Sequence, residues 1–325
     1  MSEHSTERTK VSEVSPLEGR RKTAVLAIIL CVIVWGFSFI SIKVAVAVFP
    51  PMTLGATRFA MALVLLFTMY RISLKKTGGS FFGCVKQDLP LLICSGLMGI
   101  TFYFFGENNG VALVTASEAS IIVAAIPVLT VIADWLFSKI AANSKRTQLG
   151  WRHWLGAVVS MAGVVLVAGV SLSLSGSIKG YLYMGGAALC WVIYGLLTRP
   201  LFERKRSRIY VVFWQNLFGF IGFLPFAFME RAAWVKPAPY VFCHVLFLGL
   251  CCSALGYWLY AHALEVLGMS VTAVFINLIP VVTVIAGFFV LGDRLAVLQL
   301  AGAALVIGGV YLTVLPKRNG VQNND

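Results

Sequence analysis

The chain has 325 residues, of which 59% are hydrophobic and only 12% are charged, and its mean hydropathy is +0.88. A water-soluble protein of this length carries about twice that charged fraction, so the composition excludes a soluble globule and indicates a chain solvated mostly by lipid. The formal net charge of +13 does not indicate nucleic-acid binding, because the basic residues stand in short segments between apolar runs and form no continuous patch.

Ten apolar segments are long enough to cross a bilayer as helices. In chain order, the predicted spans are 24–48, 53–72, 89–114, 117–137, 154–174, 180–198, 209–229, 240–266, 269–291 and 296–315. The polar segment 1–23 is predicted to be a disordered cytoplasmic tail, and 316–325 a second cytoplasmic tail. We therefore predict an all-α polytopic membrane protein, in which residues 24–174 and 175–315 form two five-helix halves.

The lysine and arginine residues of the connecting segments predict the orientation of the chain. With the N-terminus inside, 20 of these 26 residues lie in inner segments, 4 lie in outer loops, and two, Lys43 and Arg58, lie inside spans. Both termini are therefore predicted to be cytoplasmic, in a multi-pass protein of the cell (inner) membrane. The first apolar run is too long for a cleaved signal peptide, so it is predicted to remain as the first span.

Spans four and nine contain almost the same apolar phrase. Residues 121–137 are IIVAAIPVLTVIADWLF and residues 274–290 are VFINLIPVVTVIAGFFV, and with Pro127 aligned to Pro280 the octets IPVLTVIA and IPVVTVIA differ at one position. Because each half has an odd number of spans, the second half must enter the membrane from the opposite side. The halves are then related by a pseudo-two-fold axis in the membrane plane. Such inverted repeats are typical of secondary transporters, with the solute site near the midplane, although a duplication can also build only a scaffold.

The proline of each copy has a physical consequence of its own. Pro127 and Pro280 each remove one helical hydrogen bond near the middle of a span and are predicted to bend it. Carbonyl groups freed at a bend can face a cavity but cannot face lipid. The two prolines are therefore candidates for one moving element in each half.

Longer stretches of the sequence are similar to a known family. VWGFSFISIK in span one, RFAMAL in span two, GVALVTASEASIIVAAIPVLTVI across spans three and four, and ALEVLGMSVTAVFINLIPVVTVIAGFFVLGDRL across spans eight and nine resemble the drug/metabolite transporter superfamily, in its ten-span EamA-type branch. The resemblance covers about residues 24 to 315. It implies transport of amino acids, metabolites or drugs, often as export. The halves differ in one place: the turn LGDRL at Leu291–Leu295 is replaced by DWLFSKI in the first half.

Four charged residues have similar predicted depths in the outer third of the membrane. They are Lys43, Arg58, Glu107 and Glu118. Because an isolated charge at that depth is costly, they are predicted to form one cluster, which could be a static ionic staple, an outer gate or a solute contact. Glu107 is also a candidate carboxylate for a coupling proton. Pairing with Arg58 or Lys43 would oppose protonation, and the sequence leaves both possibilities open.

Aromatic and polar residues within the spans are candidates for the lining of a solute cavity, although most such residues in membrane proteins serve packing or interfacial belts. These candidates are Trp35, Ser38, Tyr103, Asn108, Trp191, Tyr194, Trp214, Tyr257 and Asn277. On span eight, His262 and Glu265 lie near the inner end of a helical stripe. They are either an interfacial pair or an inner gate that protonates near neutral pH.

The sequence argues against several classes of function. It contains no GxxxxGK[ST], GxSxG or HExxH motif and no CxxC pair, and its four histidines are scattered, so neither a pump, an enzyme, a metal site nor a cofactor is predicted. A channel would need charged rings or a filter-like loop. We predict a secondary transporter that moves a small organic solute, often outwards, by alternating access. The alternative is a uniporter or channel-like facilitator, and the solute and the oligomeric state are left open.

Overall fold

The computed structural model describes residues 16–83, 85–114, 119, 122–140, 150–167, 177–291 and 297–314. Within these ranges the chain is helical and contains no strand, and ten helical elements correspond in order to the ten predicted spans. They are α1 (Pro16–Val46), α2 (Pro51–Thr77), α3 (Val85–Leu113), α4 (Ile126–Ile140), α5 (Trp151–Val167), α6 (Ile178–Glu203), α7 (Arg208–Met229), α8 (Pro239–Leu267), α9 (Met269–Phe275 and Leu278–Leu291) and α10 (Val297–Val314).

Most of these elements are long and apolar enough to cross a membrane. In the described part of the chain, seven meet both conditions: α1, α2, α3, α6, α7, α8 and α9. Shorter apolar helices lie in α4 and α10, and α5 has 17 residues. Parts of the fourth, fifth and tenth predicted spans fall outside the described residues. The prediction of an all-α polytopic membrane protein is confirmed.

The first helix starts earlier than the sequence predicted. α1 begins at Pro16, so residues 16–23 are the first turns of a helix and not part of a disordered tail. Proline suits the first helical position because its missing N–H has no partner there in any case. Glu18 favours the positive end of the helix dipole and forms a salt bridge of 2.9 Å with Lys22 one turn later. Local helix signals therefore outweigh the polar composition of this segment.

Equivalent helices of the two halves pack against each other in opposite directions, as α2 and α7 illustrate. Just beyond the end of α7, Glu230 Oε2 accepts a hydrogen bond of 2.7 Å from the backbone N–H of Thr53 at the start of α2. Towards the end of α2, the ring of Tyr70 stacks on the ring of Phe213 near the start of α7, with 5.0 Å between ring centres. The second helix of one half thus runs antiparallel to the second helix of the other.

α5 and α10 form a second antiparallel pair, and here the contact requires glycine. Gly156 near the start of α5 lies beside Thr313 near the end of α10, and Gly163 lies beside Val306. A Cβ atom on Gly163 would stand only 2.6 Å from the backbone nitrogen of Val306, so a larger residue would push the helices apart. Small residues are a common means of close helix packing in membranes.

The first helix of each half makes equivalent contacts with helices of the other half. α1 packs against α8 and α9, and α6 packs in the same way against α3 and α4. These helices are equivalent in pairs: α1 to α6, α3 to α8 and α4 to α9. A two-fold rotation perpendicular to the helices therefore interchanges these contacts, in agreement with the predicted inverted repeat.

Both halves interrupt their helices next to the repeated prolines. α9 has a turn at 276–277, and a turn at 124–125 precedes α4. A proline cannot donate to the carbonyl four residues before it. In both halves the helix is interrupted within that preceding turn and restarts just before the proline, at Ile126 and at Leu278. The predicted bends are thus breaks that precede the prolines.

Candidate solute-binding site

A small cavity, which we term the central cavity, lies between the two halves and is lined by equivalent residues of both. The equivalent pairs are Trp35 and Trp191 on α1 and α6, Tyr103 and Tyr257 on α3 and α8, Val123 and Ile276 at the helix breaks, and Ile126 and Ile279 next to the prolines. The other lining residues are Ser38, Phe39, Arg58, Phe104 and Glu107. The cavity therefore lies where the two halves meet, which is the usual place of a solute site in an inverted repeat.

The central cavity is nearly closed in this conformation. The centre of a water molecule can occupy only about 30 Å³ of it, which is enough space for water but not for an organic solute. A larger solute can enter only if the walls move apart. The helix breaks at 124–125 and 276–277 and the residues beside them supply four of the lining residues. Because the backbone is already interrupted there, α4 and α9 can move with the smallest loss of backbone hydrogen bonds.

Four aromatic rings form one wall of the central cavity. The rings of Trp35 and Trp191 lie 5.4 Å apart at an angle of 83°, and the ring of Tyr103 lies 4.9 Å from that of Trp191. Tyr257 completes the wall, with its ring centre 6.0 Å from that of Trp35. Aromatic contacts of this kind stabilise one another by about 0.5–1.5 kcal/mol each. The wall is a well-packed apolar surface, suited to an apolar or aromatic part of a solute.

Backbone carbonyls in two π-helical segments hold this aromatic wall in place. α3 contains such a segment at Leu97–Phe102, and α8 contains one at Leu248–Gly256. The indole N–H of Trp35 donates to the carbonyl of Cys252 at 3.1 Å, and the Tyr257 hydroxyl donates to the carbonyl of Gly99 at 2.7 Å. Each bond joins residues of opposite halves. π-Helical turns are frequent at functional sites, and here they position the wall across the interface.

The first half supplies two buried charges to the cavity. Arg58 is 2% exposed and Glu107 is 4% exposed. Arg58 Nε donates to Ser253 Oγ at 2.9 Å, and its guanidinium lies 4.4 Å from the ring centre of Phe104. The Tyr103 hydroxyl donates to Glu107 Oε1 at 2.8 Å. Arg58 Nη1 and Glu107 Oε2 have no hydrogen-bond partner among the described residues. A buried charge without its full set of partners is costly, so both atoms are suited to bind a solute.

Each half of this chain matches a known family separately. The sequence profile of the EamA-like transporter family matches residues 22–169 and residues 178–315. The chain belongs to the EamA-like transporter family. It is therefore a multi-span membrane transporter and not an enzyme, in agreement with the resemblance carried by its sequence.

Relatives of this EamA transporter match it over nearly their full length. An uncharacterized transporter of Archaeoglobus fulgidus is 27% identical, covering 89% of this chain and 96% of the relative. The uncharacterized transporter YdfC of Bacillus subtilis is 24% identical, covering 91% and 93%. A probable terminal-alkyne amino-acid exporter of Streptantibioticus cattleyicolor is 24% identical, covering 89% and 92%. A solved crystal structure that is 19% identical matches with a TM-score of 0.69, over 90% of this chain and 96% of that one, and shows the same fold.

Two amides that the sequence placed at the cavity of the transporter lie elsewhere. Asn108 Nδ2 donates to the carbonyl of Pro51 at 2.8 Å and so ties α3 to the start of α2. Asn277 Nδ2 donates to Ser160 Oγ at 2.7 Å and so ties α9 to α5. Both amides serve contacts between helices, the alternative that the sequence left open for Asn277.

Two aromatic candidates are also outside the lining of the central cavity. The Tyr194 hydroxyl lies 3.4 Å from Gln215 Oε1 in a buried contact between α6 and α7. The ring of Trp214 lies 5.5 Å from that of Phe81, among aromatic residues of α2, α7 and the connection after α2. Of the nine predicted cavity residues, five line the cavity: Trp35, Ser38, Tyr103, Trp191 and Tyr257.

Of the four charges predicted to form one outer cluster, the three that the structure describes have different surroundings. Lys43 Nζ donates to the carbonyls of Val111 and Val114 at the end of α3, at 3.0 and 3.4 Å, because the end of a helix attracts a cation. No ion pair between described residues includes Lys43, Arg58 or Glu107. Arg58 and Glu107 share the central cavity instead. The fourth predicted member, Glu118, lies outside the described residues.

The predicted inner pair lies at the end of the bundle where α1 begins, α6 ends and α7 begins, which we term the basic end. Glu265 forms ion pairs with Arg208 at 3.0 Å and with Arg20 at 3.4 Å. His262 Nε2 lies 3.2 Å from Thr23 Oγ1. These contacts join α8 to the starts of α1 and α7, as an interfacial pair would, and neither residue lines the central cavity.

A buried ion pair near the basic end was not predicted from the sequence. Asp134 of α4 is 1% exposed, its Oδ1 accepts from Arg199 Nη1 at 2.8 Å, and its Oδ2 accepts from Ser270 Oγ at 2.8 Å. A signal for it was available, since a carboxylate inside an apolar span needs a partner. Asp134 opens the stretch DWLFSKI in which the two halves differ, whereas Arg199 was counted with a connecting segment.

Proposed function

We propose that this EamA transporter is a secondary transporter that exports a small organic solute across the cell (inner) membrane by alternating access, with the central cavity as its solute site. The observation that carries the proposal is the cavity itself. Residues of both inverted halves line it, and it holds two buried charges with unpartnered atoms among the described residues. A solute that supplies the missing partners is bound where the two halves meet.

The solute class that this cavity favours is an amino acid or a similar small zwitterion with an apolar body. Arg58 can donate to a carboxylate, Glu107 can accept from an ammonium group, and the aromatic wall can contact the apolar part. Glu107 stands four residues after Tyr103, whereas Ala261 stands four residues after Tyr257. The charged end of the solute is therefore expected on the side of the first half. The probable amino-acid exporter among the relatives supports the same class.

The orientation of the chain in the membrane and the direction of transport are supported by separate observations. The excess of lysine and arginine at the basic end favours a cytoplasmic location of that end and of both termini. Export is supported by the exporter among the relatives. The nearly closed cavity supports alternating access, because a channel-like path would have to remain open to both sides.

A uniporter or channel-like facilitator is the alternative, and Glu107 favours coupling to protons over it. Its Oε2 is a carboxylate oxygen of the solute site that has no hydrogen-bond partner in the part of the chain that the structure describes. A proton and a solute ammonium group would compete for this atom, which is the requirement for exchange of one against the other. Accumulation of solute against its gradient when a pH gradient is imposed on liposomes supports exchange, whereas equilibration alone supports the facilitator.

The test of the proposal is transport by the purified protein in liposomes over a panel of amino acids and other metabolites. Two buried tryptophans give a matched comparison: Trp191 is 4% exposed and lines the cavity, and Trp214 is 5% exposed and does not. Trp191→Phe is expected to change the rate or the solute preference, and Trp214→Phe to leave both unchanged. Absence of transport above that of protein-free liposomes for the whole panel, or equal effects of the two substitutions, would refute the proposal.

A further inference from the structure

The ion pair between Asp134 and Arg199 lies between two cavities. Asp134 follows Ile126, a lining residue of the central cavity, by eight residues, which is about 12 Å along α4 towards the basic end. A second cavity of about 230 Å³ lies at the basic end, and both Asp134 and Arg199 line it. The ion pair therefore lies where a route from the central cavity to the basic end would pass.

The contacts of Asp134 join three helices across this route. One carboxylate oxygen accepts from Arg199 of α6 and the other from Ser270 near the start of α9, both at 2.8 Å. α4 and α9 are the two helices that are broken beside the central cavity. Through Asp134, both α4 and α9 are linked to α6, and these two helices are the elements best able to move.

Arg199 has a second partner that does not depend on α4. Its Nε donates to Glu203 Oε1 at 2.9 Å, one turn later on α6, and the Glu203 side chain is 53% exposed. If α4 moved away, Arg199 would keep a carboxylate beside it at the exposed end of the helix. Separation of the pair would therefore leave Arg199 with a counter-charge, and Asp134 would lose its arginine but keep the hydrogen bond from Ser270. These remaining partners lower the cost of breaking a buried pair.

We propose that Asp134 and Arg199 form the gate of the transport route at the basic end. The pair separates and reforms in each transport cycle, and Glu203 holds Arg199 while the gate is open. This inference rests on the proposed alternating access. Its test, however, requires no knowledge of the solute, because it measures which side of the membrane can reach the central cavity.

A second buried aspartate at the same end provides the control. Asp88 is fully buried and pairs with Arg204 at 2.8 Å and Arg206 at 2.7 Å, and it accepts from the Tyr210 hydroxyl at 3.1 Å. It lines neither of the two cavities. Asp88 is thus as buried as Asp134 and is also paired with arginine. Its contacts, however, join α3 to the start of α7 and to the connection between α6 and α7.

The experiment measures the labelling of a reporter cysteine in the central cavity. The reporter is Ser38→Cys in a background without native cysteines, and a membrane-impermeant thiol reagent is applied to vesicles of both orientations. Asp134→Asn keeps an acceptor for Ser270 but removes the charge opposite Arg199. It is expected to raise the labelling rate from the basic end by about tenfold, as a shift in the population of open gates would, and to lower it from the other side. Arg199→Gln should act in the same direction.

Three further variants decide between a gate that opens in each cycle and an ion pair that only stabilises the fold. The charge exchange Asp134→Arg with Arg199→Asp is expected to move the labelling rates back towards those of the wild type. Ser270→Ala removes one hydrogen bond to the carboxylate and leaves both charges in place, so it should open the gate in the same direction to a smaller extent. It is the variant to measure if Asp134→Asn does not fold. Asp88→Asn is expected to leave the labelling unchanged.

Two results would overturn the gate. One is unchanged labelling in folded Asp134→Asn and Arg199→Gln, or in Ser270→Ala if those two do not fold. The other is an equal shift in Asp88→Asn. Failure of the proposed function has a different signature: labelling that responds as expected, in a protein that transports no solute of the panel, supports the gate and counts against the proposed function alone.

Discussion

Replacement of Glu107 by glutamine removes one charge from the central cavity and keeps the size of the side chain. The amide oxygen can still accept from the Tyr103 hydroxyl, which in the wild type donates to Oε1 at 2.8 Å, so the side chain keeps its position. The change falls on Oε2, the atom that has no partner among the described residues. A hydrogen bond to a charged group contributes about 1.5–3 kcal/mol. The affinity for a solute with an ammonium group should therefore fall by about 10-fold to about 150-fold.

The same substitution should not destabilise the solute-free protein. Glu107 is 4% exposed, and a buried carboxylate with an unpartnered oxygen opposes folding. The thermal midpoint of Glu107→Gln in detergent should therefore equal or exceed that of the wild type. Binding is measured with the transported zwitterion and with an analogue that lacks the amine. A dissociation constant within about twofold of the wild type (about 0.4 kcal/mol), or an equal loss of affinity for the analogue, would refute the role of Glu107.

Two further predictions concern contacts between the halves. Gly163→Ala places a Cβ atom 2.6 Å from the backbone nitrogen of Val306 and should lower the thermal midpoint, whereas Gly308→Ala, which meets no atom within 4 Å, should leave or raise it because alanine favours helix. Equal midpoints would contradict the close contact of α5 and α10. Glu230→Gln weakens the cap on α2, where the carboxylate accepts from two backbone N–H groups at 3.1 and 2.7 Å. It should cost about 1 kcal/mol of stability in an unfolding titration, and an unchanged titration would contradict the cap.

The relation between the halves could be predicted because it depends on counting along the chain. The match of Pro127 to Pro280 defines the repeat, and an odd number of spans in each copy requires the second copy to be inverted. Position within a span can be counted in the same way, which is why Trp35 and Trp191 could be named as candidates for the cavity lining. Both line the central cavity.

The hydrogen-bond and ion-pair partners of the side chains within the spans could not be predicted, because they depend on how each helix is rotated about its own axis. Lys43, Arg58 and Glu107 have similar depths, yet Lys43 faces the carbonyl groups at the end of α3 and only the other two face the cavity. The same reason explains Asn277, whose amide faces Ser160 of α5. The counterpart of Asp134 lies 65 residues further along the chain on α6, and no local pattern connects the two.

The repeated prolines give a test of alternating access itself. Pro127 and Pro280 each follow a break in the helix, and alanine at either position would supply an N–H group that can bridge the break. Alanine is favoured over proline by up to ~3 kcal/mol in a helix interior, and a shift of about 1.4 kcal/mol between inward-open and outward-open states changes their ratio about tenfold. Because the halves are inverted, Pro127→Ala and Pro280→Ala should bias the labelling of the Ser38→Cys reporter towards opposite sides of the membrane, and both should slow transport. Wild-type transport with unchanged labelling in both variants would mean that the repeated phrase serves packing and that other helices open the cavity.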